Sequence, residues 1–475
     1  MGRGYIVDDS VEKYLVSLQT ASLSSLTGLL IGQSLPQRDF VVLAVQTPQK
    51  AKSESDPSER KPVHSLCDID TEWVTQHAKQ VSWTLPGGLS VLGVFLITPP
   101  DLEKEAQNTL RRLVFSVEKL ISKGRLWSLN EDDVSERVGL HICSKTRRAV
   151  CRTFDVQDAK SSAKPADWKY QHGVSDSWLV LKCSVELHVR FPTPDITLEN
   201  LEKSTKVSLQ KWGNQIESSI CLVNGVRVSS DSELISGQKK NTKAFPSNLR
   251  AQILIHNVRK EVRTCASVQV CGGVLALRGV VHCRAYIHSN KPKAKQAAEA
   301  LKRDIMNTVS YRTEMFFEDL LMSEADGERG ILGQKQPLPQ RVFASVPGAG
   351  FCVCDYMFPD EGTAEVKERL KETLDCDIPE EEVDLTQEVI AGELLLDLTD
   401  SLGGGGNPID PLFNLKYICL CWTVGGNPHK HGNHTHTPHK LSRGCTSTTS
   451  RNPAIHTVLQ CHLHLCSFYS LCQII

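Results

Sequence analysis

Two spacings of apolar residues, one of about 3.6 and one of about 2, divide this chain into elements. Tyr5 to Val7 is a short apolar alternation, and Val11 to Leu23 then repeats at helical spacing behind a cap at Asp8, Asp9 or Ser10. Leu26 to Gly32 and Phe40 to Gln46 are nearly continuous apolar runs joined by a turn over Leu35 to Asp39, the pattern of a hairpin of buried strands. Pro48 to Pro62 is polar and charged, hence a loop. Asp70 to Gln80 reads as a helix capped by Asp68 or Asp70. A buried strand follows at Leu89 to Ile97. Pro99, Pro100 and Asp101 then open a helix that runs to Ser122. Leu102, Ala106, Leu110, Leu113, Val114, Val117, Leu120 and Ile121 form its apolar face. Val138 to Cys143, Ala149 to Val156 and Trp178 to Arg190 read as strands, and Leu198 to Ser219 as an amphipathic helix.

The pattern restarts at Cys221. Ile253 to Ile255 and the long apolar run Ser267 to His288 predict two or three paired strands. Lys293 to Leu321 predicts a helix, broken or bent near Val309. Within Pro339 to Leu374, strands are expected at Val342 to Ala344 and Phe351 to Tyr356, with a helix from Ala364. Glu380 to Asp400 is acidic and reads as a linker. From Pro411 to Ile475 there is no Asp or Glu, yet this stretch holds eight of the 16 histidines and six of the 17 cysteines. Such a composition does not specify a packed core, and the stretch reads as a disordered tail from an alternative 3′ exon. The expected partition is residues 1–220, 221–325, 326–375, an acidic linker over 376–410 and an atypical tail over 411–475.

Composition changes this picture little. At 475 residues, 40% hydrophobic and 23% charged, the chain has room for two or three ordinary globular domains. A net charge of −1 supplies no global field for nucleic acid. Arg3, Asp8 and Asp9 stand where a signal peptide needs an apolar core, so the cysteines are read as reduced and cytosolic. Gly2 suggests myristoylation, but Ile6 stands where that motif wants Ser or Thr. The longest apolar windows, Leu89 to Ile97 and Tyr417 to Val424, are too short to span a bilayer, so a soluble chain is expected.

Candidate chemistry is sparse. His429, His431, His434, His436 and His439, with Cys461, His462, His464 and Cys466, lack the paired spacing of structural zinc sites. Asn427, Pro428 and His429 are similar to a catalytic D-P-H box, with Asn in place of Asp. Asn433 begins a glycosylation sequon that matters only in a lumenal tail. Cys352 and Cys354 share a strand face and read as small buried hydrophobes, as do Cys265, Cys271 and Cys283. His282 and Cys283 are strand neighbours on opposite faces and cannot pair. Gly87-Gly88 and Gly403 to Gly406 lack the ending of a phosphate loop. Lys291, Lys293, Lys295, Lys302 and Arg303 read as a solvated helix face.

One strand is more telling. Val91 to Pro99, VLGVFLITP, resembles the metal-binding strand of the MPN (JAMM) fold through Gly93, Phe95 and Pro99. That motif presents two histidines, and an aspartate further along completes a zinc site. The corresponding positions here are Leu96, Thr98 and Thr109, and Leu96 has no lone pair to give zinc. The resemblance implies an MPN-like mixed α/β (α+β) sheet with flanking helices, followed by a second smaller α+β unit, and no zinc hydrolase chemistry.

Further stretches resemble the odorant-response-abnormal-four family: Gly2 to Leu15, Gly28 to Gln33, Ser82 to Phe95, Leu338 to Phe343 and Cys354 to Phe358. The resemblance covers roughly residues 1–375. It implies a catalytically inactive, cofactor-free adaptor at the cytosolic face of the endoplasmic reticulum membrane. The implied partners are the ubiquitin-fold-modifier-specific protease and a subset of G-protein-coupled receptors, including odorant receptors. The family carries a C-terminal transmembrane helix after an acidic linker, and the His/Cys-rich tail stands in its place here. Pairing with another MPN-like domain would use the helices Val11 to Leu23 and Leu102 to Ser122, unless their stripes are simply core. The competing reading is a divergent MPN-type metalloprotease or thiol isopeptidase with a different ligand set, such as His64, His77 and Asp68.

Overall fold

The computed structural model describes residues 2–21, 25–50, 66, 69–129, 133–194, 197–234, 248–254, 273–288, 290–325, 335–386, 388 and 393–398. The 411–475 tail, His64, Asp68, Cys265 and Cys271 lie outside the described residues.

The first sheet grows out of the apolar runs near the N-terminus. Its strands are β1 (Gly4–Asp8), β2 (Leu26–Ser34), β3 (Arg38–Gln46), β4 (Ser90–Thr98), β5 (Glu136–Cys143), β6 (Ala149–Asp155), β7 (Lys164–Pro165) and β8 (Asp167–Gln171). Their spatial order is β7-β6-β5-β4-β2-β3-β1-β8. The strands at its two ends are thus separated in sequence by Ala166 alone. Consecutive Cα atoms are about 3.8 Å apart, so the two edges must meet and the sheet closes on itself. The seam is visible in the hydrogen bonds: the Ala166 N–H donates to Cys151 of β6, and the Asp167 N–H to Arg3 beside β1. Periodicity does not find β7 and β8, because both are short and mostly exposed.

Helix α1 (Asp9–Ala21) covers one face of this sheet, burying Val11, Leu15 and Leu18 against Leu30, Phe95 and Leu140. Helices α2 (Thr71–Trp83) and α3 (Glu103–Lys123) cover the other. Asp70 caps α2, its carboxylate accepting the Trp73 N–H at 3.0 Å. Ala106, Leu110, Leu113, Val114 and Val117 are all buried, as the helical spacing of α3 predicts.

The second sheet has the order β11-β10-β12-β9-β13-β18-β14. Its strands are β9 (Leu179–Thr193), β10 (Ile220–Val223), β11 (Val226–Arg227), β12 (Asn248–Leu254), β13 (Gly273–Ile287), β14 (Lys335–Pro337) and β18 (Glu393–Leu398). Helices α4 (Leu198–Glu217) and α5 (Ala294–Ala325) pack on one face of it. A small third sheet joins β15 (Gln340–Ser345), β16 (Cys352–Met357) and β17 (Val383–Asp384), followed in contact by α6 (Thr363–Leu374).

Four expectations change. The strand and helix expected at Trp178 to Arg190 and Leu198 to Ser219 form β9 and α4 of the second sheet, so the first sheet ends at Gln171 and not near residue 220. Strict alternation of buried and exposed positions along β9 fits either sheet, and only its pairing with β13 decides. The runs at Ile253 and Ser267 to His288 do not pair with each other over their described parts: β12 and β13 lie on opposite sides of β9, and Gly273 to Ile287 is one strand in unbroken register with it. Helix α5 runs continuously through Val309. The acidic stretch after Ile378 is no linker over its described part: Ala344 pairs with Val383, Glu388 is buried, and Leu275 pairs with Leu396.

The first and second sheets meet at Gly87-Gly88. The Gly87 N–H donates to Arg284 at 2.9 Å, and its carbonyl accepts the Tyr286 N–H at 2.8 Å. The Gln33 amide donates to the carbonyls of Gly88 and Tyr286 and accepts the His288 N–H. This close approach requires glycine. Gly88 has φ +82°, and a Cβ there would lie 2.0 Å from the Tyr286 carbonyl oxygen. Gly88→Ala is therefore expected to cost at least 1–3 kcal/mol from the strained backbone alone, with more from the clash. A thermal melt checks it, with Gly124→Ala, whose Cβ meets nothing closer than 3.9 Å, as the near-neutral control.

Candidate functional site

Strands β4 and β5 run parallel, and their carboxyl ends meet at Thr98 and Cys143. Open sheets and parallel barrels alike commonly place ligands at the carboxyl ends of parallel strands, and the positions expected to lack metal ligands fall here. Leu96 is fully buried in the core between the sheet and α3. Thr98 is fully buried as well, and its hydroxyl lies 2.9 Å from Nε2 of His141. Thr109 is buried on α3. His141 is the register partner of Leu96, so it faces the same way. Burial holds its pKa below the usual imidazole range, opposed by the charge of Glu103.

This constellation is a hydrogen-bonded histidine beside a hydroxyl, enclosed in apolar packing. Among the described residues no group of three or more His, Cys, Asp or Glu side chains is arranged to hold a metal. Sequence reasoning missed His141, since one histidine in an apolar strand carries no spacing signal. The alternative ligand His77 is packed between α2 and α6, its Nε2 donating to the Thr373 carbonyl at 2.9 Å. Burial lowers its pKa to about 4.

That depressed value predicts acid lability. Between pH 6.5 and about 4 the unfolded chain binds a proton at His77 that the folded chain refuses, so stability falls as pH drops through this window. The expected loss is about 3 kcal/mol. His77→Gln keeps a donor for Thr373 and removes the titration. Urea unfolding of both proteins at pH 7 and pH 4 checks this, and the gap between them should narrow or invert at pH 4.

The most heavily charged place in the core lies elsewhere, where α5, β13 and β15 meet. Arg341 makes a two-pronged pair with Asp304 at 2.8 Å, each side chain 1% exposed. Asp304 also accepts the Arg284 N–H, and Arg341 donates to Sγ of Cys354 at 3.2 Å. Arg312 pairs with both oxygens of Glu388 at 2.7 Å, and those oxygens also accept the N–H groups of His282 and Arg341. Burial lowers the pKa of Arg341, but Asp304 outweighs it and holds the guanidinium charged, well above its usual range. Arginines and carboxylates so deep in a core are held by one another.

The remaining sequence candidates resolve into structure. Cys354 and Cys283 are buried, and burial pushes their thiols up, Cys354 to about 11, so neither is an activated nucleophile. His282 turns away from Cys283 and contacts Ser184. In the basic cluster, Lys302 caps the end of α4 through the carbonyls of Glu217 and Ser219, and Arg303 pairs with Asp133 and stacks on Trp127. Most of the α1 and α3 apolar stripes is core, and Val16 is the large hydrophobic that α1 leaves exposed. No helix of the described residues is long and apolar enough to cross a membrane.

A family model described as odorant response abnormal 4-like matches residues 28–385. The protein odr-4 homolog of Mus musculus is 47% identical over 397 residues, covering 82% of this chain and 87% of that protein. Its Homo sapiens counterpart is 45% identical with coverage of 82% and 86%. The Dictyostelium discoideum homolog is 25% identical over 349 residues, 70% of this chain and 71% of that one. Among solved structures, UfSP from C. elegans superposes with a TM-score of 0.40 at 9% identity, over 79% of this chain and 57% of that one.

Proposed function

The chain belongs to the odorant response abnormal 4-like family, and from that membership we propose that it is a non-enzymatic adaptor. In this reading it recruits the protease of the ubiquitin-fold modifier to the endoplasmic reticulum and serves the trafficking of a subset of G-protein-coupled receptors. The observation that carries it is the occupied strand end. Apolar packing and a single Thr98–His141 hydrogen bond at 2.9 Å stand where a hydrolase of MPN type needs zinc ligands and an open water position. Binding, not chemistry, is what such a site leaves to the protein. Since the stripes of α1 and α3 are largely used in the core, the partner meets other surfaces.

The test uses the full chain. Co-purification with the protease from fractionated cells is expected to yield a stoichiometric complex, and elemental analysis of the purified chain less than a tenth of an equivalent of zinc. One bound equivalent of zinc, removed by His77→Gln together with turnover of a modifier conjugate, would instead establish the metalloprotease reading. No complex in either membrane or cytosol would end the adaptor reading.

A further inference from the structure

Charge is unevenly spread along this chain. Residues 179–300, which build most of the second sheet, hold 18 Lys and Arg against 9 Asp and Glu, although the whole chain carries only −1. The sheet has one face against α4 and α5, reached by Leu181, Cys183, Val185, Leu187 and Val189 of β9. Alternate positions therefore point the other way. On β9 these include Lys182, Ser184, Glu186 and Arg190, all exposed, with His188 half-buried between them.

The strand register extends this face. Arg250 of β12 lies opposite Lys182, and Arg278 of β13 lies opposite His188. Both are exposed. Among the described residues the third sheet reaches β13 near its His282 end, where Arg341 meets the His282 carbonyl, and Ala276, the register partner of Arg190, is buried on this side. What stays open carries two cationic clusters, Lys182 with Arg250 and Arg190 with Arg278. Neither cluster forms an ion pair with a described residue. Glu186 lies between them, and Glu393 of β18 is in register with Arg278. His188 senses the field: burial first, then Arg278 and Arg190, lower its pKa.

Lys182 and Arg190 are eight positions apart on one strand, roughly 26 Å at about 3.3 Å per residue. We propose that this open sheet face docks an extended acidic segment of a partner protein, with carboxylates at its two ends and uncharged residues between. Unpaired cations at both ends attract such a segment, and Glu186 repels acid at its centre. Nucleic acid fits less well, because β9 presents no outward Phe, Tyr or Trp for bases to stack on. The inference goes beyond the adaptor reading and does not require that the protease be the partner.

The test is fluorescence anisotropy of the full chain with a labelled peptide of about eight residues, two aspartates at each end and serine and glycine between. Saturable binding is expected, weakened at least tenfold by Arg190→Ser with Arg278→Ser, and likewise by Lys182→Ser with Arg250→Ser. Glu186→Gln should strengthen it, and a peptide with its aspartates moved to the centre should bind several-fold more weakly. The substituted side chains are exposed, so melting temperatures should hold, which separates lost binding from lost folding. Absent binding, or binding indifferent to both double substitutions, overturns the proposal. So does binding of phosphatidylserine vesicles that depends on these residues when the peptide does not bind.

Discussion

Asp304→Ala is expected to lower the folding stability of the described fold by roughly 3–5 kcal/mol. The reason is what the substitution strands. Arg341 is 1% exposed and cannot shed its charge, so without Asp304 its guanidinium is buried with a sulfur, one carbonyl and the face of the Phe343 ring for company. The Arg284 N–H loses its acceptor in the same step. Folded domains are stable by only about 5–15 kcal/mol, so a loss of this size moves the urea midpoint far to the left. The pair itself need not be strongly stabilising. Asp304→Leu combined with Arg341→Met replaces it by apolar groups of similar size and should recover much of the loss. A double-mutant cycle in urea measures this. If the double variant is no more stable than Asp304→Ala, packing and not stranded charge sets the cost.

That cluster also shows where the sequence ceases to be legible. Periodicity finds elements whose apolar positions face a core, as in α3, β4 and the β2–β3 hairpin. It is silent on Asp304, Arg312, Arg341 and Glu388, because charged residues are expected outside and these are inside. Composition misleads in the same way after Ile378: glutamates there suggest a solvated linker, yet the run Glu393 to Leu398 pairs with β13 and β14. Gly87-Gly88 is conspicuous in the sequence, but its use depends on Tyr286 and Gln33, far along the chain in either direction. At the candidate site, that Leu96 offers no lone pair to a metal can be read from residue type alone. The hydroxyl–imidazole pair that fills the place cannot, since it needs β4 and β5 to lie parallel and in register.

Glu388→Ala is expected to be as damaging as Asp304→Ala, again by roughly 3–5 kcal/mol, although it lies in a stretch that looks dispensable. Its carboxylate accepts four hydrogen bonds from three elements: two from Arg312 of α5 at 2.7 Å, one from the His282 N–H and one from the Arg341 N–H at 2.9 Å. Arg312 already has Nε and Nη1 without partners, so removing Glu388 leaves a buried guanidinium with almost none. Glu388→Gln should cost less than Ala, since it keeps one acceptor and offers a donor, and more than any exposed glutamate, for which Glu381→Ala serves as the near-neutral control. A chain ending at Pro379 should fare worse than either. It would lose β17, Glu388 and β18 together, leaving the β13 edge from Gly273 to Arg278 unpaired over an apolar strand, a template for aggregation. Solubility and urea unfolding of the point variants and the truncation decide the matter. Wild-type stability in Glu388→Ala would mean that Arg312 finds water instead, and that the acidic stretch is held by its β17 and β18 pairings alone.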